Sequence, residues 1–450
     1  MRFEDFKDKL FNKANEAGFY EFELYYVTGD NFSVQIYKHE IDKYTVSNSV
    51  GMCFRGILNG KMGYAYSEAI DEHTMDMLVS NAKMNAESVE KDDEEIIFEG
   101  SKEYCILDAY NEELGKVKAD EKINLAKQLE AEVYSYSDKV VRTSACIVST
   151  EDFTKRIINS KGLDIEFKNN IIYSVISPVV QIGDEVNNAY SNDIGKSIDD
   201  LDIIRLSHDA VDDAISSLGG VTVDSGNYDI IFKNKASASL LSTFSAIFNA
   251  ENAQKGLSLL NGKEGSKIAS EIVNIIDDPL LKDGVSSTTF DDEGVATYRK
   301  NVISNGTLTT LLHNLKTANN QGVSSTGNAS KATYSSPIGV APTNLYIENG
   351  TSSFDELVKE LSHGLIITDM QGLHSGAKPL TGEFSLSAKG FLVENGSVGK
   401  AVDQITISGN YYDVLKSVTK IGSDFRFNLG SIASFGSPSI IVKDVSVAGK

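Results

Sequence analysis

Residues 364–410 read GLIITDMQGLHSGAKPLTGEFSLSAKGFLVENGSVGKAVDQITISGN, and this stretch decides the fold of the C-terminal part of the chain. The apolar run after Gly364 predicts a buried strand that enters a glycine-rich loop. Alternating apolar residues from Phe384 to Ala388 predict a strand with one buried face. Asn395-Gly396 is the dipeptide best suited to a type I′ hairpin turn, and another strand pattern follows it. The stretch therefore predicts a β-rich unit.

Three shorter motifs lie around this stretch. They are residues 290–297 (FDDEGVAT), residues 314–318 (NLKTA), and an ending that runs from Ser437-Pro438-Ser439 to Ala448-Gly449. Each motif alone is a weak signal. Together, in this order, they resemble the C-terminal domain of the TldD/PmbA family, once called modulators of DNA gyrase. The resemblance extends over essentially the whole chain and is closest to the PmbA (TldE) branch.

The composition is that of a folded protein with an acidic surface. With 450 residues the chain can hold two or three domains, and 41% hydrophobic and 24% charged residues are ordinary for globular proteins. The formal net charge of −22 disfavours contact with a phosphate backbone, so we expect no nucleic-acid partner. Three cysteines far apart in the sequence argue against a disulfide framework.

Membrane and secretion signals are missing from the sequence. No apolar run approaches the ~18 residues that a membrane helix needs. The N-terminus is charged from Arg2 onward and lacks the apolar region of a signal peptide. We therefore expect a cytoplasmic protein without a membrane partner.

The first half of the chain predicts helices combined with an antiparallel sheet. Helical spacing of apolar residues predicts helices over 2–17, 69–90, 119–136 and 199–218. Strand patterns cover 20–27, 32–38, 42–47 and 50–58, and more strands follow between 140 and 186. The acidic cluster at 90–95 predicts a solvated loop. Gly219-Gly220 closes the last of these helices, and we place a domain boundary there.

The second half predicts mostly strands. Strands are expected at 228–232, 271–276 and 439–447, a hairpin at 295–308, and helices at about 235–249 and 354–361. Residues 318–342 are rich in Gly, Ser, Asn and Ala and predict a mobile or binding loop. The predicted fold class is α+β. An N-terminal helix-plus-antiparallel-sheet domain spans 1–220, and a C-terminal β-rich domain with few helices spans 221–450.

The residues alone do not form a recognisable catalytic motif. Common zinc peptidases carry two His four residues apart on one helix, with a Glu beside the first. The only His-Glu pair, His39-Glu40, lies among predicted strands without a second His at that spacing. The sequence GLHSG at 372–376 misses the G-x-S-x-G nucleophile elbow by one position. Neighbouring side chains on a strand also point to opposite faces, which disfavours a pair of His374 with Ser375.

The family resemblance offers an explanation for the missing metal motif. In the TldD branch, a helix of the second domain carries a His-Glu-x-x-x-His zinc motif, and a Cys near the C-terminus adds a ligand. The matching helix at 235–249 has no His, Glu or Cys, and no Cys follows Cys146. Leu241, Ser242 and Ala246, or their neighbours, stand at the ligand and base positions. The resemblance thus implies no catalytic residue and no metal or other cofactor in this chain, with zinc in a TldD-type partner.

Seven residues are candidates for contact with a peptide or a partner subunit. Glycines there are expected to supply positive φ or to let another backbone approach, as in a cleft that holds an extended peptide by strand addition. Each histidine has two interpretations, a ring that satisfies backbone carbonyls or a group that faces a cleft or partner. The candidates are Gly372, His374, Ser375, Gly376, Gly382, His313 and Asn314.

The resemblance implies a function within an assembly. We expect a PmbA/TldE-type subunit of a zinc metallopeptidase that matures or degrades unfolded peptides. Its partner would be a TldD-type subunit, or a second copy of the chain when that subunit is absent. Two alternatives stay open. One is a non-enzymatic binding or modulator protein that acts on a toxin–antitoxin pair or DNA gyrase, and the other is an independent hydrolase with unrecognised residues.

Overall fold

The structure is a computed structural model of the chain, and it describes residues 1–90, 96–428 and 433–450. Apart from Glu90, the predicted acidic loop at 90–95 lies outside the described residues. None of the helices in the described ranges is long and apolar enough to cross a membrane. The fold class is α+β with a β-rich C-terminal part, as predicted.

Long antiparallel strands build the N-terminal sheet. The strands are β1 (Glu21–Tyr37), β2 (Glu40–Leu58), β3 (Lys61–Ser67), β4 (Val140–Asn159), β5 (Asp164–Ile182), β6 (Glu185–Asn188) and β7 (Ser191–Gly195). They lie in the order β3-β2-β1-β4-β5-β6, and β7 also pairs with β5. The prediction of two strands in place of β1, and of two in place of β2, is wrong. Gly29 pairs with Ser49 on one side and Phe153 on the other, so both ladders continue through the expected break.

Helices cover one face of this sheet. Phe22 and Leu24 pack under the first two helices of the chain, while Phe32 and Val34, on the same face of β1, pack under the helix that precedes β4 and the helix that follows β7. The opposite face carries Tyr25, which packs with residues of the C-terminal part. The predicted helix at 199–218 is shorter and follows a 3₁₀ turn, because Asp202 caps it by accepting from the Arg205 N–H. The helices are α1 (Phe3–Glu16), α2 (Glu72–Ser88), α3 (Glu112–Lys116), α4 (Ala119–Tyr136) and α5 (Ile203–Ser216).

The C-terminal part contains two larger sheets and one short strand pair. Its strands are β8 (Gly226–Phe232), β9 (Ile275–Asp277), β10 (Lys300–Ser304), β11 (Thr307–Leu308), β12 (Ala329–Ser330), β13 (Gly339–Val340), β14 (Asn344–Ile347), β15 (Gly364–Gln371), β16 (Glu383–Glu394), β17 (Ser397–Asn410), β18 (Val418–Ile421), β19 (Arg426–Asn428), β20 (Ser434–Ser437) and β21 (Ile440–Ala448). One sheet has the order β17-β16-β15-β8-β21-β18, and the other has the order β11-β10-β9-β14-β20-β19. Because β17 also pairs with β21, the five strands β17, β16, β15, β8 and β21 close into a ring.

Five helices of the described C-terminal residues connect these sheets. They are α6 (Asn234–Phe244), α7 (Ala250–Gln254), α8 (Leu315–Gln321), α9 (Phe354–Leu361) and α10 (Tyr411–Lys416). The loop predicted over 318–342 is wrong in part, since it contains the end of α8 and the β12–β13 pair. The short helix α8 lacks an apolar stripe and depends on its Asn314 cap. The strand predicted at 271–276 shortens to β9, because a turn closed by the Val273 N–H and the Ser270 carbonyl precedes it.

The opening stretch folds as its pattern predicts. Phe384, Leu386 and Ala388 are buried along β16, and the turn residues Asn395 and Gly396 have φ of 52° and 69°. Alternation and turn chemistry therefore specify this hairpin locally. Its place next to β15 depends on a glycine in β16, discussed below.

Candidate functional site

Helix α6 presents one apolar face and one polar face. Leu240, Leu241 and Phe244 are fully buried in the C-terminal core. Side chains three and four residues apart share a face of a helix, so Lys235, Ser239 and the residues near 242–243 lie together on the other side. The prediction that a single helix covers 235–249 is wrong at its end, since a 3₁₀ turn, Ser245–Phe248, follows Phe244.

Two adjoining cavities, which we call the α6 cleft, lie along this polar face. The larger cavity has a volume of about 610 Å³ and the smaller one about 320 Å³, and Tyr190 lines both. The larger is lined by Lys235 and by charged residues of neighbouring elements. Side chains around the smaller cavity are Val175, Tyr190, Asn192, Ser239, Ser242, Thr243, Leu373, Asn428 and Phe435. The cleft therefore lies between the N-terminal sheet and α6.

Two of the α6 hydroxyl groups that line the cleft donate to carbonyl groups of the helix itself. Ser239 Oγ donates to the Lys235 carbonyl at 2.9 Å, and Thr243 Oγ1 donates to the Ser239 carbonyl at 2.8 Å. Asn428 Nδ2 donates to Ser239 Oγ at 3.0 Å. Of the residues expected at ligand positions, Ser242 lines the cleft, whereas Leu241 lies in the core.

A zinc ion does not fit this face. Zinc in proteins is bound by thiolate, imidazole or carboxylate groups. The α6 residues that line the smaller cavity offer only hydroxyls, two of which donate to main-chain carbonyls. Within residues 1–90, 96–428 and 433–450, no group of three or more His, Cys, Asp or Glu is arranged to hold a metal. We derive no metal chemistry for this chain.

The ammonium group of Lys235 lies in the larger cavity against Tyr190, the residue that lines both cavities. Its Nζ donates to the Tyr190 carbonyl at 3.1 Å and lies 2.9 Å from the centre of the Tyr190 ring. Burial, with a smaller contribution from the charges of Arg426 and Lys389, lowers the pKa of Lys235 to about 7, while Asp369 and Asp213 oppose the shift. An amine with such a pKa changes its charge near neutral pH.

The predicted loop at 372–376 borders the cleft, but its polar candidates face solvent. Leu373 lines the smaller cavity, whereas His374 and Ser375 are exposed. The N–H groups of Ser375 and Gly376 donate to the Gly372 carbonyl at 2.9 and 2.6 Å, which closes the loop. In the described part of the chain the His374 ring has no hydrogen-bond partner, so it does not satisfy backbone carbonyls. No hydrogen bond pairs it with Ser375 either.

The three candidate glycines have steric reasons to be glycine. Gly372 and Gly382 have φ of 82° and 83°, in the left-handed region. A Cβ at Gly376 would lie 2.3 Å from the Ser385 carbonyl oxygen, and one at Gly382 would lie 2.7 Å from Asn410 Oδ1. These positions shape the loop beside the cleft.

His313 and Asn314 are buried away from the α6 cleft. His313 Nδ1 lies 3.2 Å from Thr317 Oγ1, and burial lowers the pKa of this histidine. Asn314 caps α8, since its side chain accepts the Thr317 N–H at 2.8 Å. Both side chains shape the start of α8, which leaves them no surface toward a peptide.

The residues that sequence reasoning missed are Lys235, Arg426 and Tyr190. Lys235 is the only charged residue between 235 and 249, and this isolation on a helix of small and apolar residues was the available signal. Arg426 begins β19 and donates from Nη2 to the Asn192 carbonyl at 2.7 Å. Nothing in the sequence near Arg426 connects it to a helix so far away along the chain.

Comparisons with known proteins find relatives along the whole chain. Family profiles of the PmbA/TldA metallopeptidase match here as domain 1 over 22–86, the central domain over 112–218 and the C-terminal domain over 225–449. A metalloprotease of Methanothermobacter thermautotrophicus is 30% identical over 69% of this chain and 71% of its own length. Metalloprotease PmbA of Escherichia coli O157:H7 is 26% identical over 78% of this chain and 75% of its own length.

Solved structures share the fold. A Thermotoga maritima protein described as a candidate modulator of a DNA gyrase has a TM-score of 0.91 and 33% identity, covering 99% of this chain and 100% of its own. TldE of Thermococcus kodakarensis has a TM-score of 0.90 at 23% identity, covering 99% of this chain and 100% of its own. At that identity the likeness to TldE concerns the fold alone.

Proposed function

Because the chain belongs to the PmbA/TldD metallopeptidase family, we propose that it is a PmbA/TldE-type subunit of a zinc metallopeptidase that acts on unfolded peptides. In this proposal a TldD-type subunit brings the zinc. This chain contributes a wall and a peptide-binding cleft, and it pairs with a copy of itself when that subunit is absent. The assembly works in the cytoplasm.

One observation carries the proposal. The cleft face of α6 carries the hydroxyl groups of Ser239, Ser242 and Thr243, whose oxygens suit hydrogen bonding and do not suit zinc. The cleft is nevertheless large enough for several residues of an extended chain, with volumes of about 610 and 320 Å³. The presence of a cleft without metal ligands supports the proposal that this subunit holds the substrate.

The test combines the purified chain with the TldD-type protein of the same organism. Light scattering follows assembly, and cleavage of an unfolded peptide is measured with zinc and with a chelator. We expect chelator-sensitive cleavage that needs both chains. Absence of both a complex and added cleavage would overturn the proposal and favour the non-enzymatic modulator.

Variants of this chain distinguish the proposed role from the remaining alternative, an independent hydrolase. The change Ser242→Ala removes a cleft hydroxyl and should leave the cleavage rate of the mixed complex within about twofold, since this hydroxyl is no nucleophile in the proposal. If the isolated chain cleaves peptides in the presence of chelator, and Ser242→Ala abolishes that activity, the chain is an independent hydrolase. His374→Ala and Ser375→Ala probe the loop beside the cleft, and a change in peptide binding or assembly is expected if the loop contacts either partner.

A further inference from the structure

Among the described residues around the larger cavity, every carboxylate has a hydrogen-bond or ion-pair partner, whereas two of the cations lack a carboxylate partner. Its four carboxylates all have partners. Asp213 lies 3.9 Å from Lys233, Asp369 lies 4.0 Å from Lys389, Asp209 lies 3.3 Å from Arg205, and Asp212 accepts from the Tyr136 hydroxyl at 3.0 Å. In the described ranges, Lys235 and Arg426 have no carboxylate within ion-pair distance, although both line this cavity. Two of the four cations that line this cavity, Lys235 and Arg426, are therefore without a carboxylate partner in the described part of the chain.

These two cations are fixed close to each other. Lys235 Nζ is bound to the Tyr190 carbonyl and Arg426 Nη2 to the Asn192 carbonyl. Tyr190 and Asn192 are two residues apart in the chain, so the same short segment holds both cations. The influence of Arg426 on the pKa of Lys235 is further evidence of their proximity.

Unpaired cations in a half-buried cavity favour an anionic ligand. Moving a charge out of water is costly unless an opposite charge or hydrogen bonds replace the water. A carboxylate has two oxygens that can each accept a charge-assisted hydrogen bond, and arginine matches it with a planar fork of donors. Burial is the main reason that the pKa of Lys235 is lowered, and a carboxylate bound beside the ammonium group would raise that pKa.

We propose that the α6 cleft binds a carboxylate group of its peptide ligand through Lys235 and Arg426. The inference rests on the proposed function for the peptide nature of the ligand. The carboxylate belongs either to the C-terminus of the peptide or to an acidic side chain. The adjoining cavity of about 320 Å³, lined in part by Leu373 and Phe435, then receives a neighbouring apolar side chain.

The test measures the binding of fluorescent peptides to the purified chain by anisotropy. The first peptide is unfolded, lacks Asp and Glu, and ends in a free carboxylate. A second has the same sequence with an amidated end, and a third is amidated but contains one internal Glu. We expect the first to bind about tenfold tighter than the second, since a charge-assisted hydrogen bond is lost on amidation. Tight binding of the third peptide identifies the side-chain carboxylate as the source.

Variants assign the effect to the two cations. Lys235→Met and Arg426→Met should each remove most of the preference for the carboxylate, whereas Lys235→Arg should retain it. Lys443→Met is the matched control, because Lys443 is an exposed lysine paired with Asp229 at 3.1 Å and lies outside the cleft lining. Circular dichroism melts check that every variant is folded. If Lys443→Met lowers the preference as much as Lys235→Met does, the assignment is overturned.

The outcomes separate this inference from the proposed function. Equal affinity for all three peptides, or no measurable binding of any, overturns the carboxylate site even if the mixed complex cleaves peptides. A carboxylate preference in the isolated chain supports the site even if no complex with a TldD-type protein forms.

Discussion

Lys155 and Asp292 form a buried ion pair between the N-terminal sheet and the C-terminal part, with 2.8 Å between Nζ and Oδ1. Lys155 Nζ also donates to the Phe290 carbonyl at 3.1 Å. On its other oxygen, Asp292 accepts the Lys331 N–H at 2.7 Å. The FDDEGVAT motif therefore has a structural task, which is to attach the C-terminal part to the sheet.

Loss of Lys155 should destabilise the protein strongly. The change Lys155→Met leaves the carboxylate of Asp292 buried without its cation, which costs about 3–5 kcal/mol of unfolding free energy. Urea denaturation measures the loss. Lys416→Met is the control, because the Lys416–Asp413 pair is exposed and its removal should cost about 1 kcal/mol or less. Similar losses in the two variants would contradict the buried role of Lys155.

The free energy of unfolding should depend on pH through the titration of Glu293. Burial raises the pKa of this carboxyl to about 8, against the opposing effect of Arg55. The folded state then keeps a proton at pH values where the unfolded chain has released it. The stabilisation is complete below the usual pKa of about 4.3 and is lost as pH rises through 8.

The measurement compares urea unfolding at pH 6 and pH 9. The unfolding free energy should fall over this range by about 1.4 kcal/mol per pH unit at most. Glu293→Gln keeps an acceptor for the Leu315 N–H and should remove this part of the slope. The exposed Glu360, paired with Lys420, supplies the control Glu360→Gln, which should leave the slope unchanged. A wild-type slope that survives Glu293→Gln would rule out Glu293 as its source.

Gly390 of β16 should tolerate no side chain. A Cβ there would lie 1.7 Å from the Ile366 carbonyl oxygen of β15. The change Gly390→Ala must push the two strands apart and should cost about 1–3 kcal/mol or more. Gly226→Ala is the control, since the nearest atom to its Cβ would be Tyr228 Cε2 at 3.9 Å. Thermal melts compare the two, and an equal melting temperature for both variants would contradict the close approach.

Carboxylate binding in the α6 cleft should weaken as pH rises. The ammonium group of Lys235 loses its proton near pH 7, among the charges of Asp369, Asp213, Arg426 and Lys389. Affinity for a peptide with a free carboxylate should therefore fall between pH 6 and pH 9, with a midpoint above 7 because the bound anion holds the proton. Lys235→Arg keeps its charge and should flatten the curve. An unchanged wild-type affinity over this range would exclude Lys235 as a partner of the anion.

Local sequence signals predicted the parts of the fold that depend on near neighbours. The Asn395-Gly396 turn has positive φ at both residues, as a type I′ turn requires. The alternation in β16 and the helices α4 and α9 also agree with their patterns. The breaks expected within β1 and β2 failed because ladders on neighbouring strands outweigh a local turn signal such as Gly29-Asp30-Asn31.

The cleft could be predicted only in part. The family resemblance directed attention to α6 and to the loop at 372–376, and both border the cleft. The two cations of the cleft could not be found this way. Lys235 and Arg426 meet only through the sheet topology, and whether a charge has a partner depends on every element that packs against it. His313 and His374 drew attention as isolated polar residues, a signal that does not distinguish a buried ring beside the start of a helix from a side chain on an exposed loop.

The pairing of β8 sets the order of events during protein synthesis. Strand β8 leads directly into α6, but its neighbours in the sheet are β15 and β21, which emerge from the ribosome much later. Contacts between segments so distant in sequence form slowly, because a long loop must close first. A nascent chain thus has no ring to hold α6 until β21 has been translated. A growing chain that has not yet exposed β21 accordingly lacks the complete sheet against which α6 packs.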